Sequence, residues 1–198
     1  MLLITNGMGR NNSAKIMKTN TLSIIAIENL LASARRECSD IALGLTLQAY
    51  AGLRSSEIPE LRATGCSDGG SLLIDDTKVT VSLGLKRIMV PNEFSGIVKA
   101  TYESHISFLA DKCVDIRFPL FINTNGTALS IEGYLRRVKQ FNDFILTSES
   151  PSLSEIRQYL AGTSRRFTAD MLRHWYAANI LNIATQKYKI KGRKALYI

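Results

Sequence analysis

The run Ile41–Ala51 is apolar on nearly every side if it is wound as an α-helix. Such a helix has no polar face to turn to solvent, so it must lie inside the fold with other elements packed around it. Gly52 follows at once, and glycine is common just past a helix C-terminus because it adopts left-handed backbone angles without steric strain. We therefore expect one central buried helix, with Arg54 in the turn directly after it.

Other segments have one apolar side, with core residues recurring at steps of three and four. Thr21 is the expected N-cap of a first helix, and Asp40 is the expected N-cap of the central one. The predicted helices are 22–34 with Ile24, Ile27, Leu30 and Leu31 inward; 41–51; a short one over 56–61; one bearing Phe94, Val98, Tyr102, Ile106 and Leu109; one capped by Ser130 with Ile131, Leu135, Val138, Phe141 and Ile145 inward; and one capped by Thr168 with Met171, Leu172, Trp175, Ala178 and Leu181 inward.

Three short segments between the second and third long helices are predicted as β-strands, and in the second of them Val79, Val81 and Leu83 alternate with Thr80 and Ser82. They are Ser71–Ile74, Val79–Leu83 and Lys86–Val90, with Gly84 permitting a turn and Pro91 ending the last strand. We expect a small three-stranded antiparallel meander. The predicted fold class is α+β and mainly helical.

The positive charge is concentrated at the two ends of the chain. The formal net charge is +8, and residues 151–198 carry nine Lys or Arg against two acids, while 1–20 carry three basic residues and no acid. This distribution favours a polyanionic partner, with nucleic acid first. The alternative is a basic segment that is simply solvated.

Other classes of function have little support in the sequence. Cys38, Cys66 and Cys113 are widely spaced, which favours free thiols in a reducing, cytoplasmic compartment. With only two histidines a zinc site is not expected, and we find no glycine-rich phosphate loop that would bind a nucleotide cofactor. No apolar run is long enough to span a membrane.

Two arginine segments are candidates for binding one phosphate. Arg54 has Glu57 three positions on, and Arg173 lies near the start of its helix between Asp170 and His174. The guanidinium fork and the positive end of a helix both favour a phosphate. The simpler interpretation of Arg54 is an exposed pair with Glu57; against it, the preceding apolar helix predicts that the Arg54 head group is partly desolvated.

The predicted sheet contains three basic residues, Lys78, Lys86 and Arg87. Their simpler interpretation is that charge at a sheet edge prevents the edge from pairing with other chains. His105 lies beside an apolar stripe and is interpreted as structural.

The order of these segments resembles the catalytic domain of the tyrosine recombinases, the phage-integrase family. The motifs that carry the resemblance are, in order, Ala51-Gly-Leu-Arg-x-x-Glu57-Ile, Thr77-Lys78, Arg87-Ile-Met-Val-Pro91, Pro119-Leu-Phe-Ile122, Gly126-x-x-Leu-Ser130 and Leu172-Arg-His-x-Tyr-Ala177. The resemblance implies an integrase-like catalytic domain over 21–198, with 1–20 as an extended arm or linker remnant. It also implies DNA recombination or integration, as in mobile elements, on double-stranded DNA together with further recombinase protomers.

The resemblance also assigns roles to residues. Arg54 and Arg173 would clamp the non-bridging oxygens of the cleaved phosphate, and Lys78 would protonate the leaving 5′-oxygen, with Lys86 as the reserve candidate. Glu57 would orient Arg54. The residues expected to contact DNA are Lys86, Arg87, His174, Lys187 and Lys189; no metal and no cofactor are implied.

Two features depart from the family pattern. Asp170 stands where the family usually has histidine or lysine, and a carboxylate there would repel an anion. After Arg173 no Leu-Gly-His follows, and Tyr188 and Tyr197 come earlier than the family tyrosine. Tyr197 is the candidate nucleophile, but we expect a catalytic domain without its usual nucleophile segment.

Three hypotheses follow from these observations. The first is a strand-exchange enzyme, and the second is a recombinase remnant that binds DNA without cutting it. The third is a helical protein that binds RNA or an acidic partner, which would place Arg54 and Arg173 far apart. We expect salt-sensitive DNA binding with little or no covalent adduct.

Overall fold

The computed structural model describes residues 22–63, 70–75, 78–112, 119–163 and 165–180. The helices are α1 Ile24–Glu37, α2 Ser39–Ala51, α3 Asn92–Asp111, α4 Ile131–Thr147, α5 Ser154–Thr163 and α6 Ala169–Trp175, with a 3-10 turn at Pro151–Leu153 and a π-turn at Tyr176–Ile180. The strands are β1 Leu61–Ala63, β2 Gly70–Ile74, β3 Val79–Leu83 and β4 Lys86–Met89.

Helix α2 is the centre of the fold, as its composition predicted. Every residue from Ile41 to Ala51 is buried, and α1, α3, α4 and α6 all pack against this helix. The ring of Tyr50 stacks on Phe94 at 4.6 Å and meets Trp175 edge-on at 6.3 Å. These contacts join α3 and α6 to the C-terminal end of α2.

Two of the four predicted N-caps differ in the structure, whereas Ser130 and Thr168 are the N-caps of α4 and α6 as predicted. The N-cap of α1 is Ser23, whose Oγ accepts a hydrogen bond from the Ala26 amide at 3.0 Å, while Thr21 lies outside the described residues. Asp40 lies inside the first turn of α2, and its Oδ2 pairs with Nε of Arg137 at 2.5 Å. The Asp40 carboxylate, which the sequence predicted as a helix cap, instead forms an ion pair with Arg137 on α4.

In helix α4, Val138, Phe141 and Ile145 are buried as predicted, whereas the two other residues predicted to face inward are not. Ile131 and Leu135 are 40% and 46% exposed, while Tyr134 is fully buried and donates to Oε1 of Gln48 at 2.7 Å. The buried row is Gly133, Tyr134, Val138, Phe141, Asn142 and Ile145. Leu135 and Tyr134 both lie close to the apolar row of this helix, and it is Tyr134 that packs against α2.

The sheet has four strands and not three. Its order is β1-β2-β3-β4, with β1 parallel to β2 and the other pairs antiparallel. The three-residue β1 is too short to show an alternating pattern. Its Leu61 carbonyl accepts a hydrogen bond at 3.0 Å from the amide of Leu120, a residue far away in the sequence. The segment 56–61, predicted as a short helix, forms turns that lead into β1.

The segment between α4 and α6 also contains a helix, α5, that the sequence patterns did not identify. Ile156 and Leu160 are its buried residues. After α5 the chain is pinned to α4, because the Phe167 amide donates to Oδ1 of the buried Asn142 at 2.8 Å. This attachment sets the position at which α6 begins.

Candidate active site

Arg54 lies in a closed turn after α2. Gly52 ends the helix at φ 67°, a left-handed conformation that favours glycine. The Glu57 carboxylate accepts from the Arg54 amide at 2.6 Å, and the Glu57 amide donates to the Arg54 carbonyl at 3.0 Å. Glu57 therefore holds the backbone of Arg54 and leaves its guanidinium exposed, so the expectation of a desolvated head group was wrong.

Helix α6 packs against the C-terminal end of α2, from which this turn begins. Nε1 of Trp175 donates to the Leu22 carbonyl at 2.9 Å, and the Trp175 ring contacts Tyr50 at the end of α2. The Tyr176 ring lies against Gly52 so closely that a Cβ at position 52 would overlap it. Arg173 is one helical turn before Tyr176, so the tertiary structure brings the two arginine segments onto adjoining elements.

The two guanidinium groups are free to take a ligand. Within the described part of the chain, neither Arg54 nor Arg173 makes a salt bridge or a side-chain hydrogen bond. Arg54 is exposed and Arg173 is half-buried. Asp170 is exposed in the first turn of α6 and has no ion-pair partner among the described residues.

The β3–β4 hairpin reaches the same turn. Nζ of Lys86, at the start of β4, lies 3.0 Å from Oε1 of Glu57, and the two side chains are 46% and 17% exposed. Lys78 precedes β3 at the other end of that five-residue strand, which is roughly 15 Å away at about 3.3 Å per residue. Lys86 thus contacts the Arg54 turn, while a role for Lys78 stays a prediction.

The remaining site candidates divide into two groups. Arg87 on β4 and His174 on α6 are both exposed. Lys187, Lys189 and Tyr197 lie outside the described residues, so their predicted roles remain predictions. Among the described residues, no group of three or more His, Cys, Asp and Glu side chains is arranged to hold a metal ion.

Sequence reasoning missed two features of the site. The ion pair of Glu57 with Lys86 joins residues on different elements, and no local pattern signals it. The contact of Tyr176 with Gly52 had a partial signal in the glycine that follows α2.

Among the described residues, no helix is long and apolar enough to cross a membrane.

The comparisons with known proteins differ by method. No family model and no curated protein matches the sequence. Solved structures do match. An XerA recombinase has 15% identity and a TM-score of 0.55 over 82% of this chain and 51% of its own. The XerH site-specific recombinase bound to difH substrate, in a post-cleavage complex, has 17% identity and a TM-score of 0.51 over 87% of this chain and 46% of its own.

A third similar structure is the lambda integrase, residues 75–356, bound to DNA. It has 15% identity and a TM-score of 0.50 over 88% of this chain and 56% of its own. The chain thus spans about half the length of each of these proteins. These likenesses concern the backbone, and they agree with the family that the ordered sequence motifs resemble. The chain therefore has the fold of the tyrosine recombinases.

Proposed function

We propose that this chain is a DNA strand-cleaving and rejoining domain of the tyrosine-recombinase type, acting in site-specific recombination. The observation that carries the proposal is the packing of α6 on the end of α2. It places Arg173 on the element next to the Arg54 turn, with both guanidinium groups unpaired within the described residues. The similar XerH and lambda integrase structures contain DNA, which supports duplex DNA as the partner.

The proposed reaction exchanges one phosphodiester for another. A tyrosine oxygen bonds to phosphorus, the bond from phosphorus to the 5′-oxygen breaks, and the leaving oxygen takes up a proton. Negative charge builds on the non-bridging oxygens, where the forks of Arg54 and Arg173 stabilise it by charge-assisted hydrogen bonds. A 5′-hydroxyl from another strand then attacks the phosphotyrosine and restores the tyrosine.

Two lysines compete for the role of proton donor. The resemblance favours Lys78, whereas the contact of Lys86 with Glu57 places Lys86 beside the Arg54 turn. DNA with sulfur in place of the 5′-bridging oxygen separates them, because a thiolate leaves without needing a proton. The substitution of the true donor by alanine should abolish cleavage of ordinary DNA and spare cleavage of the sulfur substrate. The variant of the other lysine should show the same relative cleavage of ordinary and sulfur-substituted DNA as the wild type.

The nucleophile is tested by covalent capture. A duplex with a nick near the cleavage site traps the protein–DNA adduct, which a denaturing gel detects. Loss of the adduct in Tyr197→Phe but not in Tyr188→Phe would assign Tyr197. Adduct formation that is unchanged in Arg54→Ala and Arg173→Ala would contradict the proposed clamp.

The second candidate function is DNA binding without cleavage. Two observations favour it: Asp170 is exposed one turn before Arg173, and no Leu-Gly-His lies between Arg173 and Tyr197. It predicts DNA binding with no adduct from the unmodified chain. The Asp170→His substitution restores the family residue at this position, so an adduct seen only in that variant would identify Asp170 as the obstacle.

A further inference from the structure

We propose that Arg165 and Arg166 form a second DNA contact, which grips the phosphate backbone beside the phosphate held by Arg173. This proposal rests on the proposed DNA function and adds to it a binding surface outside the motifs of the sequence. The two arginines occupy the short non-helical segment between α5 and α6. Four observations support it: the anchoring of the segment, the exposure of the side chains, their lack of partners and their closeness to Arg173.

The backbone of the segment is held on both sides of the arginines. The Arg165 amide donates to the Leu160 carbonyl at 3.1 Å, which ties it to the last turn of α5. The Phe167 amide donates to Oδ1 of Asn142 at 2.8 Å, and the buried Phe167 ring meets Phe141 edge-on at 5.9 Å. Anchored main chain lowers the conformational entropy that binding would otherwise remove.

The side chains of Arg165 and Arg166 have no acidic partner among the residues that the structure describes. Both are exposed, and neither forms a salt bridge or a side-chain hydrogen bond within the described residues. Between the end of α5 and Arg173 the only acidic residue is Asp170. Two adjacent unpaired guanidinium groups on a fixed backbone suit a ligand with regularly repeated anionic oxygens.

The segment lies within reach of the same DNA as Arg173. Two non-helical residues, Phe167 and Thr168, and about one turn of α6 separate Arg166 from Arg173, so their Cα atoms are at most about 17 Å apart. That span corresponds to roughly five nucleotides along one DNA strand at 3.4 Å each. Arginines so placed contact backbone phosphates, which position a duplex without reading its sequence.

The experiment measures duplex affinity at several salt concentrations for four proteins. They are the wild type, Arg165→Gln/Arg166→Gln, Arg165→Lys/Arg166→Lys, and Arg36→Gln/Lys112→Gln as the control. The control removes the same two charges from exposed residues near the N-terminal end of α2, opposite Gly52; Lys112 lines a surface groove there with Ser39 and Asp40. Circular dichroism and thermal unfolding verify that all four proteins are folded.

The Gln pair should reduce the slope of log affinity against log salt by about 2, with affinity lower by tens of fold at about 0.1 M salt. The Lys pair should keep the slope, and the control should change it by much less than the Gln pair. A Gln pair that behaves like the control, or a Lys pair that loses the slope as well, would overturn the contact while leaving DNA binding intact. Failure of the wild type to bind duplex DNA would instead refute the proposed function itself.

Discussion

At the scale of single residues, Gly52 joins the two parts of the candidate site. Its positive φ ends α2 and directs the chain into the Arg54 turn, and its missing side chain admits the Tyr176 ring. The two requirements are independent, since one concerns backbone angles and the other concerns space. Any other residue would meet both penalties at once.

The substitution Gly52→Ala tests this double requirement. We expect the free energy of unfolding to fall by about 2–4 kcal/mol, because left-handed strain of about 1–2 kcal/mol adds to displacement of the Tyr176 ring. Urea unfolding measures the change. Gly96→Ala in α3 is the matched control: nothing lies within 4 Å of its new Cβ, so helix propensity should raise stability by roughly 0.5–1 kcal/mol. Equal effects at both positions would contradict the argument.

His105 is a buried titratable group in the core. Its Nε2 lies 2.6 Å from the Leu120 carbonyl and its Nδ1 lies 3.3 Å from the Ser39 carbonyl, which confirms the structural interpretation from the sequence. Burial lowers the pKa of His105, against the opposing effects of these two carbonyls and of Asp40. The neutral imidazole is therefore the form that the fold favours.

This lowered pKa predicts acid sensitivity. Because the folded pKa lies below the unfolded value of about 6.5, the unfolded chain binds the extra proton first, and stability falls as the pH drops through that range. Urea midpoints at pH 7.5 and 5.5 should show a loss that is smaller in His105→Gln. His174→Gln, which changes an exposed histidine, should keep the wild-type loss; the same pH dependence in all three proteins would exclude His105 as its source.

At the scale of elements, α6 depends on its neighbours. A helix of seven residues is unstable alone, since helices shorter than about 12 residues are marginal in water. Its buried residues Ala169, Leu172 and Trp175 and the bond from Trp175 to Leu22 hold it against α2 and the start of α1. The position of Arg173 is therefore set by the packing of this helix and not by local propensity.

Trp175→Phe removes the indole donor and keeps an aromatic ring beside Tyr50. We expect a loss of about 2–4 kcal/mol in the free energy of unfolding, from the smaller ring and from a buried Leu22 carbonyl left without its donor. Thermal and urea unfolding report it. Tyr176→Phe keeps the ring against Gly52 and should stay within about 0.5 kcal/mol of wild type; a larger loss there than in Trp175→Phe would reverse the assigned importance of the two contacts.

At the scale of the whole molecule, the net charge of +8 favours a polyanionic ligand, and duplex DNA is the ligand of the proposed function. Arg54 and Arg173 lie on adjoining elements, the turn after α2 and helix α6, and neither has a salt-bridge partner among the described residues. A ligand that bridges these elements would stabilise the folded chain, because it binds the native arrangement and not the unfolded one.

Duplex DNA should therefore raise the melting temperature of the protein. At about 100 times the dissociation constant the gain is roughly 2.7 kcal/mol, and it should shrink steeply as salt is added. Differential scanning fluorimetry at two ionic strengths measures both effects. The double variant Arg54→Ala/Arg173→Ala should show a smaller rise than wild type, and a rise that is insensitive to salt would count against phosphate binding.

Much of the fold was determined by the sequence alone. The apolar composition of Ile41–Ala51 predicts a buried helix and the pattern of 79–83 predicts a strand, and the structure has both, although Thr80 is buried together with Val79 and Val81. The recombinase fold was predicted from the ordered motifs between Ala51 and Ala177 and agrees with the solved structures. These features are local, because the period of an apolar pattern and the residue at a turn act within one element.

The tertiary structure decided between alternatives that local sequence patterns do not distinguish. Leu135 and Tyr134 lie three and four residues before Val138, so either fits the apolar row of α4; in the structure Tyr134 is the buried one, and it donates a hydrogen bond to Gln48 on α2. Likewise the short β1, the pairing of Asp40 with Arg137, and the approach of Lys86 to Glu57 depend on partners distant in sequence. Such contacts form between elements that are distant in sequence, so their energy cannot be estimated from one segment alone.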